Sequence, residues 1–183
     1  LGFLTVVEVF DGFSQEWGAS SGDIIANVSG TALYVSQELL WKEQRITPKF
    51  SFHQTKFASQ RPETLGASFN EEILKDYNGQ TYWLSFNVHS FTKDSFIPKW
   101  LNLAIGYSGE GMLYGNDAEA IENGIIQNPY RQFYLSLDVD LTKISTKSHF
   151  LKTLFSVFNT IKIPAPTLQY DEYNGLKGHF IYF

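Results

Sequence analysis

The stretch YRQFYLSLDVDLTK, residues 130–143, decides how this chain is read. Phe133, Leu135, Leu137, Val139 and Leu141 alternate with Gln132, Tyr134, Ser136, Asp138 and Asp140. Successive side chains of a strand point to opposite faces, so this period of two predicts a strand with one apolar and one polar face. Two upstream segments repeat the pattern. In QTYWLSFNVHSF (80–91), Tyr82, Leu84, Phe86 and Val88 alternate with Trp83, Ser85, Asn87 and His89. In PKWLNLAIGYSGEG (98–111), Leu101, Leu103, Ile105 and Tyr107 alternate with Asn102, Ala104, Gly106, Ser108 and Glu110. Such alternation marks one face in hydrocarbon or core and the other in water or a polar lumen. By itself it does not say which.

Outward from these strands the signals change. Gly106, Gly109 and Gly111 predict a bulge or strand bend. Lys49–Phe57, with Phe50 and Phe52 on one face, reads as a weaker strand, and Phe69–Lys75 as a short helix. HFLKTLFSVFNTI (149–161) carries Phe150, Leu151, Leu154, Phe155 and Phe158 at helical spacing, an amphipathic helix ended by IPAP. It suits either the covering of a sheet edge or the plane of a membrane interface. The expected strand total is five or six, below the eight of small membrane barrels. Either unread strands close the sheet or it stays open.

The first third reads as helix. Leu1, Leu4, Val7 and Phe10 recur at helical spacing up to Gly12. Ser20 or Ser21 suits a helix N-cap, with Asp23 in the first turn, and a second helix then runs from Gly22 to Gln44. Gly22, Ala26 and Gly30 are four apart, a stripe of small residues that permits close helix packing, with Asn27 beside it as a bridging polar group. The expected fold is therefore α+β. A helical hairpin over 1–47 packs on an antiparallel β-region over 48–183, an outer-membrane sheet or a small β-barrel.

Composition narrows the functional classes. A net charge of -5 without a basic run argues against nucleic-acid binding. Aromatic residues reach 16% while charged residues make up only 18%, which fits a chain rich in interfaces or one meeting lipid at headgroup level. The absence of cysteine excludes thiol nucleophiles, thiolate metal sites and disulfides. The start at Leu1 rather than Met is read as a removed leader or a fragment.

Two resemblances add to this. The final GHFIYF, ending in Phe183, resembles the C-terminal signature of bacterial outer-membrane β-barrels. The helical segment EVFDGFSQEWGASSGDIIANVSG (8–30) resembles the YfiM-like family of periplasmic lipoproteins through Glu8, Asp11, Gly12, Ser14, Trp17, Ser21, Asp23, Ala26, Asn27 and Gly30. It is also distantly similar to VanZ-type membrane proteins. DYNGQTYWLS, KWLNLAIGYSGEGML, DVDLTKI and FNTIKIPAPTLQY look like the extended, outer-membrane form of the same family in Gram-negative bacteria. The resemblance implies an envelope location and assigns no catalytic residue.

Candidate chemistry centres on the helical pair. Glu8 and Asp11 share one helix face, and Asp23 and Asn27 share another. Converging carboxylates split their pKa values, as general acid/base work requires. The alternative is that Asp23 caps its helix while Asn27 and Glu8 bond across the interface. His53, His89, His149 and His179 show no metal-ligand spacing, and no G-x-S-x-G elbow, Walker or dinucleotide motif occurs. No cofactor or metal is called for. The leading expectation is an outer-membrane-associated structural or accessory subunit of an envelope complex, with membrane lipid and a protein as partners. An envelope enzyme acting on lipid or glycan through Glu8, Asp11 and Asp23 is the second. A soluble periplasmic domain binding a ligand on the polar strand face is the third.

Overall fold

The computed structural model describes residues 21–93 and 96–183, with residues 21–24 described by their backbone alone. The chain divides between Arg45 and Ile46 into two compact units. In the first, helix α1 runs Ser21–Trp41. It stops three residues short of Gln44 because Lys42 turns into the left-handed region at φ 58°. The Gln37 side chain then ties down the exit, donating to Gln44 Oε1 (3.0 Å) and accepting from the Arg45 backbone N–H (2.8 Å). The expected partner helix before Gly12 lies outside the described residues.

The second unit is a six-stranded antiparallel meander in the order β1-β2-β3-β4-β5-β6. Its strands are β1 Ile46–Phe52, β2 Gln80–Asn87, β3 Leu101–Glu110, β4 Tyr130–Val139, β5 Ala165–Asp171 and β6 Gly175–Tyr182. Five short helices decorate the connections: α2 Pro62–Leu65, α3 Phe69–Lys75, α4 Val88–Thr92, α5 Asp117–Glu122 and α6 His149–Phe158. The α+β class and the helix at Phe69–Lys75 agree with the sequence. Val88 and His89 do not extend β2 as their alternation suggested. Asn87 caps α4 instead, its side chain accepting from Ser90 N–H at 2.9 Å.

Which face is buried is now settled. Trp83, Ser85, Asn87, Asn102, Ala104, Ser108, Gln132, Tyr134, Ser136, Asp138, Thr167, Gln169 and Asp171 are buried. Leu84, Leu103, Ile105, Tyr107, Phe133, Leu135, Leu137, Leu168 and Tyr170 are exposed. The sheet is inside out relative to a water-soluble sandwich, with polar side chains in and apolar side chains out.

The sheet is also strongly curled. In a flat sheet β2 and β6 would stand roughly 19 Å apart, four strand spacings. Here Trp83 of β2 and Tyr182 of β6 meet with ring centroids at 6.2 Å. Tyr134 of β4 lies between them, 5.5 Å from Trp83 and 4.8 Å from Tyr182. Gly106 makes the curl possible: a Cβ there would come within 2.6 Å of the Trp83 ring. The expected bulge at this glycine is absent, because β3 pairs without interruption from Leu101 to Glu110. The register shift lies at the start of β5, where Ala165 faces Tyr182 and Thr167 faces His179. The extra residue falls in β6, between His179 and Tyr182. Without it Tyr182 would share the outward face of Leu176, Gly178 and Phe180; with it the ring turns inward onto Trp83.

Curling does not close the sheet. β1 and β6 are not paired, so the closed-barrel alternative is corrected: six strands are too few to close around this interior. The free edge of β1 is met instead by the chain after α6, with Phe50 N–H donating to Thr160 O and Lys162 N–H to Phe50 O, both at 2.9 Å. Pro48, two residues before Phe50, has its nitrogen on that same side, where β2 loses no hydrogen bond.

Candidate functional site

The polar interior holds two groups of side chains, one toward each end of the strands. At one end Lys49 and Asp138 form an ion pair of 2.8 Å with both side chains fully buried. The register accounts for the position: Asp138 pairs with Asn102, and Asn102 with Asn87, so three polar residues stand in one inward row. Ser85 Oγ donates to Asp138 Oδ2 (2.6 Å), Asn102 Nδ2 to Ser85 Oγ (2.8 Å), and Asn87 Nδ2 to Asn102 Oδ1 (2.8 Å). Lys49 Nζ also donates to Val139 O (2.7 Å) and Asn159 Oδ1 (3.3 Å). A second buried cation, Lys162, donates to Ile163 O at 2.6 Å and lies 5.0 Å above the Trp83 ring. Burial lowers its pKa to about 8; Asp138 opposes that shift and Lys49 adds to it. Every polar group here is taken up by a neighbour, so this end reads as a structural keystone.

Alternation puts Asp138 and Asp140 on one polar strand face. They separate in role. Asp140 lies past the end of β4 and accepts from Thr142 N–H (3.0 Å) and Thr142 Oγ1 (2.6 Å), capping the turn that follows.

The other end is open. A cavity of about 510 Å³ is lined by residues that include His53, Lys56, Glu110, Lys177, His179 and Tyr182. Glu110, the last residue of β3, accepts at Oε2 from Tyr130 O–H (2.8 Å) and Gln132 Nε2 (2.7 Å). Gln132 Oε1 in turn accepts from Ser108 Oγ (2.9 Å) and Tyr134 O–H (2.8 Å), and Tyr182 O–H donates to Tyr134 Oη (2.8 Å). His179 Nε2 lies 2.7 Å from Gln169 Oε1. The His53 and His179 rings flank Tyr182 at 5.7 and 5.1 Å. Partial desolvation holds the His53 pKa below the usual imidazole value; Glu110 and Asp76 oppose this, and His179 reinforces it. Chemically the arrangement is a wall of oriented hydroxyls and amides, with two imidazoles and two ammonium groups at the opening.

The residues proposed from sequence belong to the helical segment. Glu8 and Asp11 lie outside the described residues, as does the side chain of Asp23, whose backbone sits in the first turn of α1. Gly22, Ala26, Asn27 and Gly30 are all in α1, and Thr31 Oγ1 donates to the Asn27 carbonyl at 2.9 Å. Ala26 and Gly30 are exposed, and among the described residues nothing comes within 4 Å of where a Gly30 Cβ would stand. His89 is in α4 and His149 opens α6. Among the described residues no group of three or more His, Asp or Glu is placed to hold a metal ion.

Sequence reading missed the cavity. Its lining comes from the ends of β1, β3, β4, β5 and β6, and only the curl and the register shift in β6 bring these together. Lys49 and Lys162 left no signal either, because a lysine in a strand or a connection looks in sequence like any polar residue there. No family model, curated protein or solved structure matches the chain.

Proposed function

We propose that the outer face of the sheet is seated in membrane hydrocarbon and that the chain is a structural or accessory subunit of a bacterial envelope complex at the outer membrane. The observation that carries this reading is the inversion of the sheet. Tyr82, Tyr107, Phe133 and Tyr170 face each other across four strands, and Leu84, Ile105, Leu135 and Leu168 do so in the next row. Phe86, Leu103 and Leu137 form a third row. With Leu101 and Val139 beyond them, the rows span roughly 20 Å along the strands, close to the ~25 Å apolar band of membrane barrels. β3 and β4 have ten residues each, the length of a strand that crosses a bilayer. The row of tyrosine and phenylalanine occupies one rim of the band, where membrane barrels carry an aromatic girdle.

In water such a face would be a large apolar patch of the kind that drives association. In lipid it needs no cover. The edge of β6 supports the subunit reading, since backbone groups left unpaired in hydrocarbon cost several kcal/mol each and call for a partner strand. No helix among the described residues is long and apolar enough to cross a membrane, so α1 supplies no anchor of that kind. Washing native membranes with alkaline carbonate, then with urea, tests the seating. The protein is expected to stay in the pellet, and its release into the supernatant would refute the reading.

A further inference from the structure

The cavity at the open end of the curled sheet gathers cationic side chains at its mouth. Lys56 and Lys177 line it, and neither makes an ion pair among the described residues. Lys177 faces inward because its register partner is Gln169, which lies in one row with Tyr134, Gly106 and Trp83. Among the lining residues one carboxylate stands against these two cations, Glu110, whose Oε2 already accepts two hydrogen bonds. Asp171, which accepts from Gln169, and Asp76, whose charge reaches His53, lie behind the lining and accept hydrogen bonds from their own turns. His53 and His179 add up to two further positive charges when an anion draws protons onto them. Two lysines and two histidines bring four groups able to carry positive charge to one opening, in a chain of net charge -5. Its volume of about 510 Å³ falls within the ordinary range for small-ligand sites.

We propose that this cavity binds a phosphate ester, with Lys56, Lys177, His53 and His179 contacting the phosphate oxygens. A dianion with three terminal oxygens matches several separate donors better than a single carboxylate does. Glu110 has a positioning role. It fixes Tyr130 and Gln132, and through Gln132 the hydroxyls of Tyr134 and Tyr182, so the wall does not rearrange when a ligand enters. The inference is independent of where the outer face of the sheet is seated, because it rests on the concave side alone.

The test uses the full chain in maltoside micelles with the four histidine ring signals followed by NMR. One arm adds sn-glycerol 3-phosphate, a second phosphatidic acid, and a third diacylglycerol, which lacks the phosphate. The expected result is saturable movement of the His53 and His179 signals with at least one phosphate carrier, while His89 and His149 stay in place. Saturation by glycerol phosphate assigns a soluble ester as ligand; saturation by phosphatidic acid alone assigns a lipid headgroup. The double variant Lys56→Gln/Lys177→Gln, which alters two exposed side chains, is expected to weaken binding at least tenfold with an unchanged circular dichroism spectrum. The proposal is overturned if neither phosphate carrier moves the two signals, if all four histidines move together, if diacylglycerol acts as well as phosphatidic acid, or if the double variant binds with undiminished affinity.

Discussion

Gly106 and Trp83 show how one residue sets the shape of the sheet. The indole lies flat over the glycine, and an added methyl would meet three ring atoms at 2.6 to 2.9 Å. Overpacking of this kind costs about 1–3 kcal/mol, so Gly106→Ala is expected to lower the thermal midpoint by several degrees in a calorimetric scan. The ion pair gives a larger effect. Asp138→Asn leaves Lys49 and Lys162 buried without a counter-charge and is expected to cost about 3–5 kcal/mol, read from the denaturant midpoint. Lys162 acts in the opposite direction. Its folded pKa of about 8 lies below the unfolded value of 10.5, so between these the unfolded state binds more protons and stability rises with pH. Below pH 8 both states are charged and the penalty of the buried charge is present in full. Lys162→Met is therefore expected to stabilise the protein at pH 7, with the advantage shrinking from pH 8 to 10.5, as seen by melting both proteins across that range. Sequence marked Gly106 as a bulge or bend; the roles of Asp138 and Lys162 were not legible, because each depends on partners distant in the chain.

At the scale of the element the sequence was far more informative. Period two located β2, β3 and β4 to within a few residues, and helical spacing located α6. Alternation fixes which residues share a face, but the sign of the burial comes only with the third dimension. The interior rows of Ser, Asn, Gln and Thr satisfy one another through hydrogen bonds, which leaves the leucine rows outside. β6 was legible as an aromatic strand, yet its extra residue was not, and that residue decides that Tyr182 reaches the cavity. Leu135 stands in the middle row of the outer face, paired between Ile105 and Leu168. Leu135→Lys is expected to cost about 2–4 kcal/mol in a bilayer, measured by urea unfolding in liposomes. An ordinary exposed position in water would shift by no more than about 0.5 kcal/mol.

The sheet as a whole is turned inside out, packed around a polar keystone at one end and open at the other as a cavity with two lysines and two histidines at its mouth. The acids of the helical segment, Glu8, Asp11 and the side chain of Asp23, lie outside the described residues. The alternation implied one face in hydrocarbon or core and the other in water or a polar lumen; the apolar face is the outer one, and the central proposal is that its rows meet lipid. The absence of cysteine makes this directly measurable, since a single introduced thiol takes up a spin label without competition. Labels at Leu135→Cys, in the outer band, and at Lys147→Cys, on the exposed connection before α6, are compared in liposomes by collision with oxygen and with a water-soluble nickel chelate. Seating in lipid predicts a Leu135 label open to oxygen and shielded from nickel, and a Lys147 label open to nickel. Equal nickel access at the two positions would contradict it.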